Sequence, residues 1–131
     1  MPQTEPVWLT PADLTNINVE EVRATGEPHV VSSQALLESA ASRPLNLYRY
    51  GEEEDVVNLA TALLFGVTLN HPFLQGNKRT GFTGALVFIE MNGYRWVGPD
   101  DPDLWGDLVV RVQNGVIPEA DFSAELRPFV Q

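Results

Sequence analysis

Cysteine is absent from the chain. That excludes disulfides, thiolate metal sites and cysteine nucleophiles, and it fits a cytoplasmic setting. No apolar run approaches the ~20 residues that a membrane-crossing helix needs. The N-terminal stretch MPQTEPVWLTPADL has no basic region leading into an apolar segment, so neither a signal peptide nor a membrane partner is expected. Basic residues are scarce: 8 Lys and Arg stand against 18 Asp and Glu, for a formal net charge of −10. A surface of that sign repels nucleic acid and anionic lipid, so no direct nucleic-acid contact is expected. Repeats and low-complexity segments are also missing. What is present suffices for one domain over residues 1–131, since a chain of this length that is 44% hydrophobic can bury a core without metal or disulfide staples.

The patterning is helical. In LTPADLTNINVEEVRATG, Thr10 is a good N-cap, Pro11 suits the first helical position and Gly26 the stop, with Leu14, Ile17 and Val22 as an apolar stripe. SSQALLESAASRP reads as a second helix, capped by Ser33 and ended by Pro44. Leu45, Leu47 and Tyr48 are expected to form a short extended or hairpin segment, broken at Gly51. The acidic run Glu52–Asp55 then opens a strong helix from about Glu53 to Asn70, where the helix dipole favours it. Val56, Leu59, Ala60, Leu63, Leu64 and Val67 recur with helical period. His71 and Pro72 end that helix. A further helix starts near Asn77 and is apolar on nearly all sides from Phe82 to Met91, which places it at the centre of the domain. Gly81 and Gly84 within it are expected to permit close backbone packing. DPDLWGDLVVRVQNG, with Leu104, Trp105, Leu108, Val109 and Val112 on one face, and IPEADFSAELRPFV complete about six helices.

Between the two central helices lies HPFLQGNKRTGF. His71 carries the one side-chain type here that titrates near neutrality. Phe73 anchors the loop, and Gly76 allows a turn that a side chain would obstruct. From Asn77 the first amides of a helix have no internal partners, and such a terminus is an anion site. The dipole alone contributes only ~0.3–1 kcal/mol at an exposed site. Lys78 and Arg79 supply charge-assisted contacts that are roughly twice as strong as neutral ones. A base beside a phosphate cradle points to transfer of a phosphate-containing group to a hydroxyl. The plainer reading is a histidine that merely closes a helix end beside two solvated cations.

The order His-Pro-Phe-x-x-Gly-Asn-Lys-Arg resembles the signature of the Fic/Doc (Fido) family, and of its Doc (death-on-curing) branch in particular. LLESAASRP resembles the branch's second helix, LATALLFGVTLNHPF the helix entering the site, and ALVFIEMNGY the helix leaving it. The resemblance covers about Leu9 to Gly115. It implies an all-α bundle of about six helices around a central helix pair, with a small β-hairpin flap. It also implies roles: His71 as the base that deprotonates a target hydroxyl, Gly76 and Asn77 as an anion hole, and Arg79 as a contact to nucleotide phosphates. Lys78 and Phe82 stand where AMP-transferring members carry glycine and a second arginine, which favours the Doc branch. That branch implies a toxin that moves phosphate from ATP or another nucleotide triphosphate to a threonine of elongation factor Tu, and a Phd-type antitoxin as partner. The inhibitory motif Ser/Thr-x-x-x-Glu-Gly/Asn of some members is absent, so an inhibitor is expected on a separate chain.

Two positions depart from the pattern. Gln75 occupies the place of the acid that holds Mg²⁺, and a neutral amide is a poorer ligand for that hard ion. VVSS puts Ser32 and Ser33 where a base and an acid are usual. Two alternatives therefore stand beside an active phosphotransferase: a catalytically degenerate binding protein, or transfer of AMP or another phosphate-containing group. His29 reads as an isolated loop residue, and Trp8, Trp96 and Trp105 as packing. Arg43 and Arg49 are expected near the flap or paired with the Glu52–Asp55 run.

Overall fold

The computed structural model describes residues 4–131 as an all-α bundle. Its helices are α1 (Pro11–Thr25), α2 (Gln34–Gly51), α3 (Val56–Asn70), α4 (Asn77–Met91), α5 (Pro102–Gln113) and α6 (Glu119–Leu126), followed by a 3-10 turn at Arg127–Phe129. Helix α3 packs most extensively against α4 on one side and α2 on the other. It is buried without interruption from Leu59 to Thr68, as its apolar sequence requires. Phe65, Phe73, Phe82, Phe88 and Phe122 are fully buried around it. Trp105 stacks on Phe82 at 5.8 Å, and Trp96 and Trp8 are partly buried at the edges, so all three indoles pack as expected.

The first helix begins and ends where its sequence indicates. Thr10 and Asp13 form a reciprocal capping box, and Gly26 closes the helix in the left-handed region at φ 75°. Asp55 caps α3 by accepting hydrogen bonds from the amides of Val57 (2.9 Å) and Asn58 (3.1 Å). The acidic run therefore serves the helix N-terminus as expected, though the helix starts at Val56 rather than Glu53.

Pro44 does not end α2, and no hairpin forms over Leu45–Tyr48; the helix runs on to Gly51. A proline inside a helix deprives the carbonyl four residues earlier of its partner. That carbonyl belongs to Ala40, and it faces Gly66 of α3 so closely that a Cβ on Gly66 would lie 3.0 Å from its oxygen. Pro44 itself is buried. Tertiary packing thus overrides the local breaker. A second close approach joins α3 to α4, where a Cβ on Gly81 would lie 2.9 Å from the Leu64 carbonyl oxygen. Gly84 packs against the Leu14 side chain, so both glycines of α4 serve close contact. Leu104, expected on the inner face of α5, is instead 68% exposed.

Among the described residues the only β-type pairings are two isolated bridges, Val31 with Phe73 and Trp96 with Val130. The first lays the VVSS segment along the loop between α3 and α4. The second fastens the C-terminal end, where the Val97 amide bonds the Phe129 carbonyl and the Gln131 amide bonds the Arg95 carbonyl, each at 2.8 Å.

Candidate functional site

A cleft of about 430 Å³ opens where α3 ends and α4 begins. His71, Gln75, Gly76, Asn77, Lys78 and Arg79 all line it, so every candidate residue of the motif reaches one site. Glu27, Asp103 and Gln113 lie on its walls as well.

His71 ends α3 in the left-handed region, at φ 53°. For a residue that is not glycine this is an uncommon conformation of the kind held by its surroundings. Its amide donates to the Val67 carbonyl at 2.9 Å, and Pro72, lacking an N–H, leaves the Thr68 carbonyl free. Gln113 of α5 fills that gap with a hydrogen bond of 3.1 Å. The backbone thus closes the helix, while the exposed imidazole makes no hydrogen bond among the described residues. Bonding the last helical carbonyls is not the role of this side chain.

The loop is then stitched at three levels. Phe73 is fully buried. The buried Asn77 side chain clasps the Phe73 backbone twice, accepting from its amide (3.0 Å) and donating to its carbonyl (2.8 Å). The Asn77 side chain therefore braces the loop, and its backbone amide stands among the first amides of α4. Gly76 precedes α4 at φ 76°, and a Cβ there would meet Val22 at 3.1 Å and Asn18 at 3.3 Å, so both conformation and space require glycine.

Helices α1, α2, α3 and α5 each carry a side-chain cap at their N-terminus, and α4 carries none. Its first intrahelical bond runs from Thr80 to Gly76 (2.8 Å), which leaves the amides of Asn77, Lys78 and Arg79 ahead of it. Lys78 is exposed and makes no ion pair among the described residues. Arg79 is paired with Glu27. Hydrogen bonds from Thr25 and from Arg79 hold the Glu27 carboxyl below the usual glutamate range.

Two residues essential to this geometry were not anticipated. Asn18, fully buried in α1, donates to the Gln75 carbonyl (2.9 Å) and to Thr80 Oγ1 (3.0 Å). Its Oδ1 lies 2.6 Å from His29 Nδ1. Since that oxygen can only accept, His29 holds its proton on Nδ1. His29 is thus part of the bracing of the site loop rather than an isolated loop residue. The available signal was spacing: Leu14, Asn18 and Val22 recur every four residues, which puts a polar side chain on the buried stripe. Ser33, by contrast, caps α2 (3.1 Å from its Oγ to the Leu36 amide), and the amides of Ser32 and Ser33 bond the Pro72 carbonyl. Arg43 and Arg49 do not meet the acidic run; they pair with Glu119 and Glu5.

A metal ion at this site would need ligands beyond the protein alone, because no group of three His, Asp or Glu among the described residues gathers as a metal cage. Mg²⁺ is commonly held by one or two carboxylates together with substrate phosphates. Gln75 offers an amide oxygen and Glu27 one carboxylate on the same cleft, the donor types that such a shared ion takes.

A bundle built around this loop, with its ordered histidine, glycine, asparagine, lysine and arginine, defines a family: the chain belongs to the Fic/DOC family, whose model matches residues 8–89. It is similar to Toxin Doc of Mycolicibacterium smegmatis, with 31% identity over 100 residues, 76% of this chain and 77% of that protein. It is also similar to Protein kinase doc of Escherichia phage P1, with 26% identity over 119 residues, 91% of this chain and 92% of that protein. No helix among the described residues is long and apolar enough to cross a membrane.

Proposed function

We propose that the protein is a Doc-type toxin that transfers the terminal phosphate of a nucleotide triphosphate to a hydroxyl of a target protein. The observation that carries this reading is the uncapped N-terminus of α4, flanked by Lys78 and Arg79 and facing the same cleft as the free imidazole of His71. The names of the two relatives, a toxin and a protein kinase, point the same way. In the proposed step the target hydroxyl oxygen forms a bond to the γ-phosphorus. The bond from that phosphorus to the β-phosphate oxygen breaks, the hydroxyl proton passes to His71, and the nucleotide diphosphate leaves. His71 acts as base, the α4 amides from Asn77 to Arg79 and the Lys78 and Arg79 cations hold the phosphates, and Gly76 gives them room to approach. Gln75 and Glu27 would hold a Mg²⁺ carried in by the donor, which would supply charge neutralisation for the phosphates. Elongation factor Tu is the proposed target and a Phd-type protein the proposed antitoxin, with the cytoplasm as the place of action.

Incubation with ATP and elongation factor Tu, followed by intact-mass analysis, tests this. A mass gain of one phosphate is expected, and His71→Ala should reduce its rate by about 10²–10⁴-fold, the usual contribution of a general base. Gain of a nucleotide monophosphate instead would show AMP transfer. A second reading, nucleotide binding without turnover, is favoured by the neutral Gln75. It predicts no label with any nucleotide triphosphate and recovery of Mg²⁺-dependent binding in Gln75→Asp.

A further inference from the structure

We propose that Glu27 is the carboxylate through which this chain holds the divalent cation of its phosphate donor, in place of the acid that Gln75 does not provide. The inference rests on the cleft being a site for nucleotide phosphates. Its first support is position. Glu27 and Gln75 line the same cleft. Glu27 pairs with Arg79 Nη2, the guanidinium nitrogen that lies beside Gly76, where a Cβ would be 3.4 Å from it. The carboxylate is therefore next to the turn that starts α4.

A second support is the state of its two oxygens. Thr25 Oγ1 and Arg79 Nη2 both donate to Oε1, and Oε2 takes no hydrogen bond among the described residues. One oxygen is anchored and the other is open, as a cation ligand must be. The backbone beneath is fixed too. The Glu27 amide bonds the Val22 carbonyl at 3.0 Å as part of the α1 cap, and Pro28 restricts the residue to extended conformations.

The third support is charge. A polyphosphate at the α4 N-terminus would compete with Glu27 for the Arg79 guanidinium, whose Nη2 is engaged by that carboxylate. That leaves a carboxylate beside a polyanion, in a chain whose net charge is already −10. Like charges so close disfavour each other. A divalent ion shared by the open Glu27 oxygen and the phosphates removes the conflict, and Mg²⁺ takes such oxygen ligands. Asp103 also lines the cleft, but from the first turn of α5 rather than beside Gly76.

Calorimetric titration of the full chain with ATP and with inorganic tripolyphosphate, each with Mg²⁺ or with a chelator, tests the assignment. In the wild type, Mg²⁺ should tighten binding at least tenfold. In Glu27→Gln the ratio should fall close to one, and Glu27→Gln combined with Gln75→Asp should restore it. Water-proton relaxation with Mn²⁺ in place of Mg²⁺ should show a bound-ion enhancement that Glu27→Gln removes. An unchanged Mg²⁺ effect in Glu27→Gln overturns the proposal. So does tighter Mg²⁺·ATP binding in that variant, which would make Glu27 a simple competitor. Mg²⁺-dependent binding that needs Glu27, without phosphate transfer, would sink the phosphotransferase reading and leave Glu27 as ligand. Failure of the wild type to bind either polyphosphate would overturn both.

Discussion

Asn18 illustrates how much of the site depends on one buried side chain. Both of its amide protons and its oxygen are engaged, with Gln75, Thr80 and His29 as partners. Replacing it by leucine leaves a buried hydroxyl and a loop carbonyl without their donor. The expected cost is about 1–3 kcal/mol of stability, read from the shift in urea midpoint, together with weaker binding of tripolyphosphate. Asn18→Leu with unchanged midpoint and unchanged binding would show that the turn holds itself. At this scale the sequence was legible where residues carry local meaning. His71, Gly76, Lys78 and Arg79 could be assigned to the turn between α3 and α4 because each is interpretable within its own turn. Asn18 and His29 were not, because their partners lie up to 62 residues away along the chain. Asn77 was half legible: its place beside the cleft followed from the motif, but the engagement of its side chain with Phe73 could be seen only in three dimensions.

Among the elements, α3 carries the catalytic candidate at one end and its best cap at the other. Asp55 accepts from two amides at the start of α3 and also from Arg127, at 2.7 Å. Burial alone would raise the Asp55 carboxyl, but the bonds from Arg127 and from the Asn58 and Val57 amides outweigh it and hold it below the usual aspartate range. A depressed pKa means that the stabilisation is present above the unfolded value of about 3.9 and fades as pH falls through the lower folded one. Asp55→Ala should therefore cost about 0.5–2 kcal/mol at pH 7. The gap to wild type should narrow below about pH 4, where the unfolded carboxylate takes up its proton; equal gaps at pH 7 and pH 3 in chemical denaturation would contradict the linkage. Helix type and order were readable throughout because capping and periodicity are local. The length of α2 was not, since Pro44 is a breaker by its own chemistry. Pro44 is buried within α2 all the same, and the Ala40 carbonyl that it leaves without a helical partner faces Gly66.

For the molecule as a whole, charge sets the conditions under which it is stable. A net charge of −10 on 131 residues favours expansion by self-repulsion. The ion pairs, such as Arg127 with Asp55 and Arg23 with Glu20, are mostly at the surface, where each contributes about 0–1 kcal/mol. Screening should therefore relieve more repulsion than it removes attraction. Between very low salt and 0.15 M, where the Debye length falls to about 8 Å, the Tm is expected to rise; a fall would mean that specific pairs outweigh the global field. The absence of cysteine and the fold class were both visible at this scale in composition and period. The fastening of the C-terminal end was not, because it joins residues 95–97 to 129–131 through backbone groups that any sequence possesses.

That fastening has a practical use. Gln131 is exposed, and its neighbourhood meets the Asp55 end of α3 through Arg127. The fifteen residues of α3, about 22 Å of helix, separate that end from His71. A cysteine introduced at Gln131 would be the chain's unique thiol. A dye on it would sit remote from the cleft yet close to Trp96 of the Trp96–Val130 bridge. Fluorescence quenching between the two would then follow fraying of this end independently of events around His71.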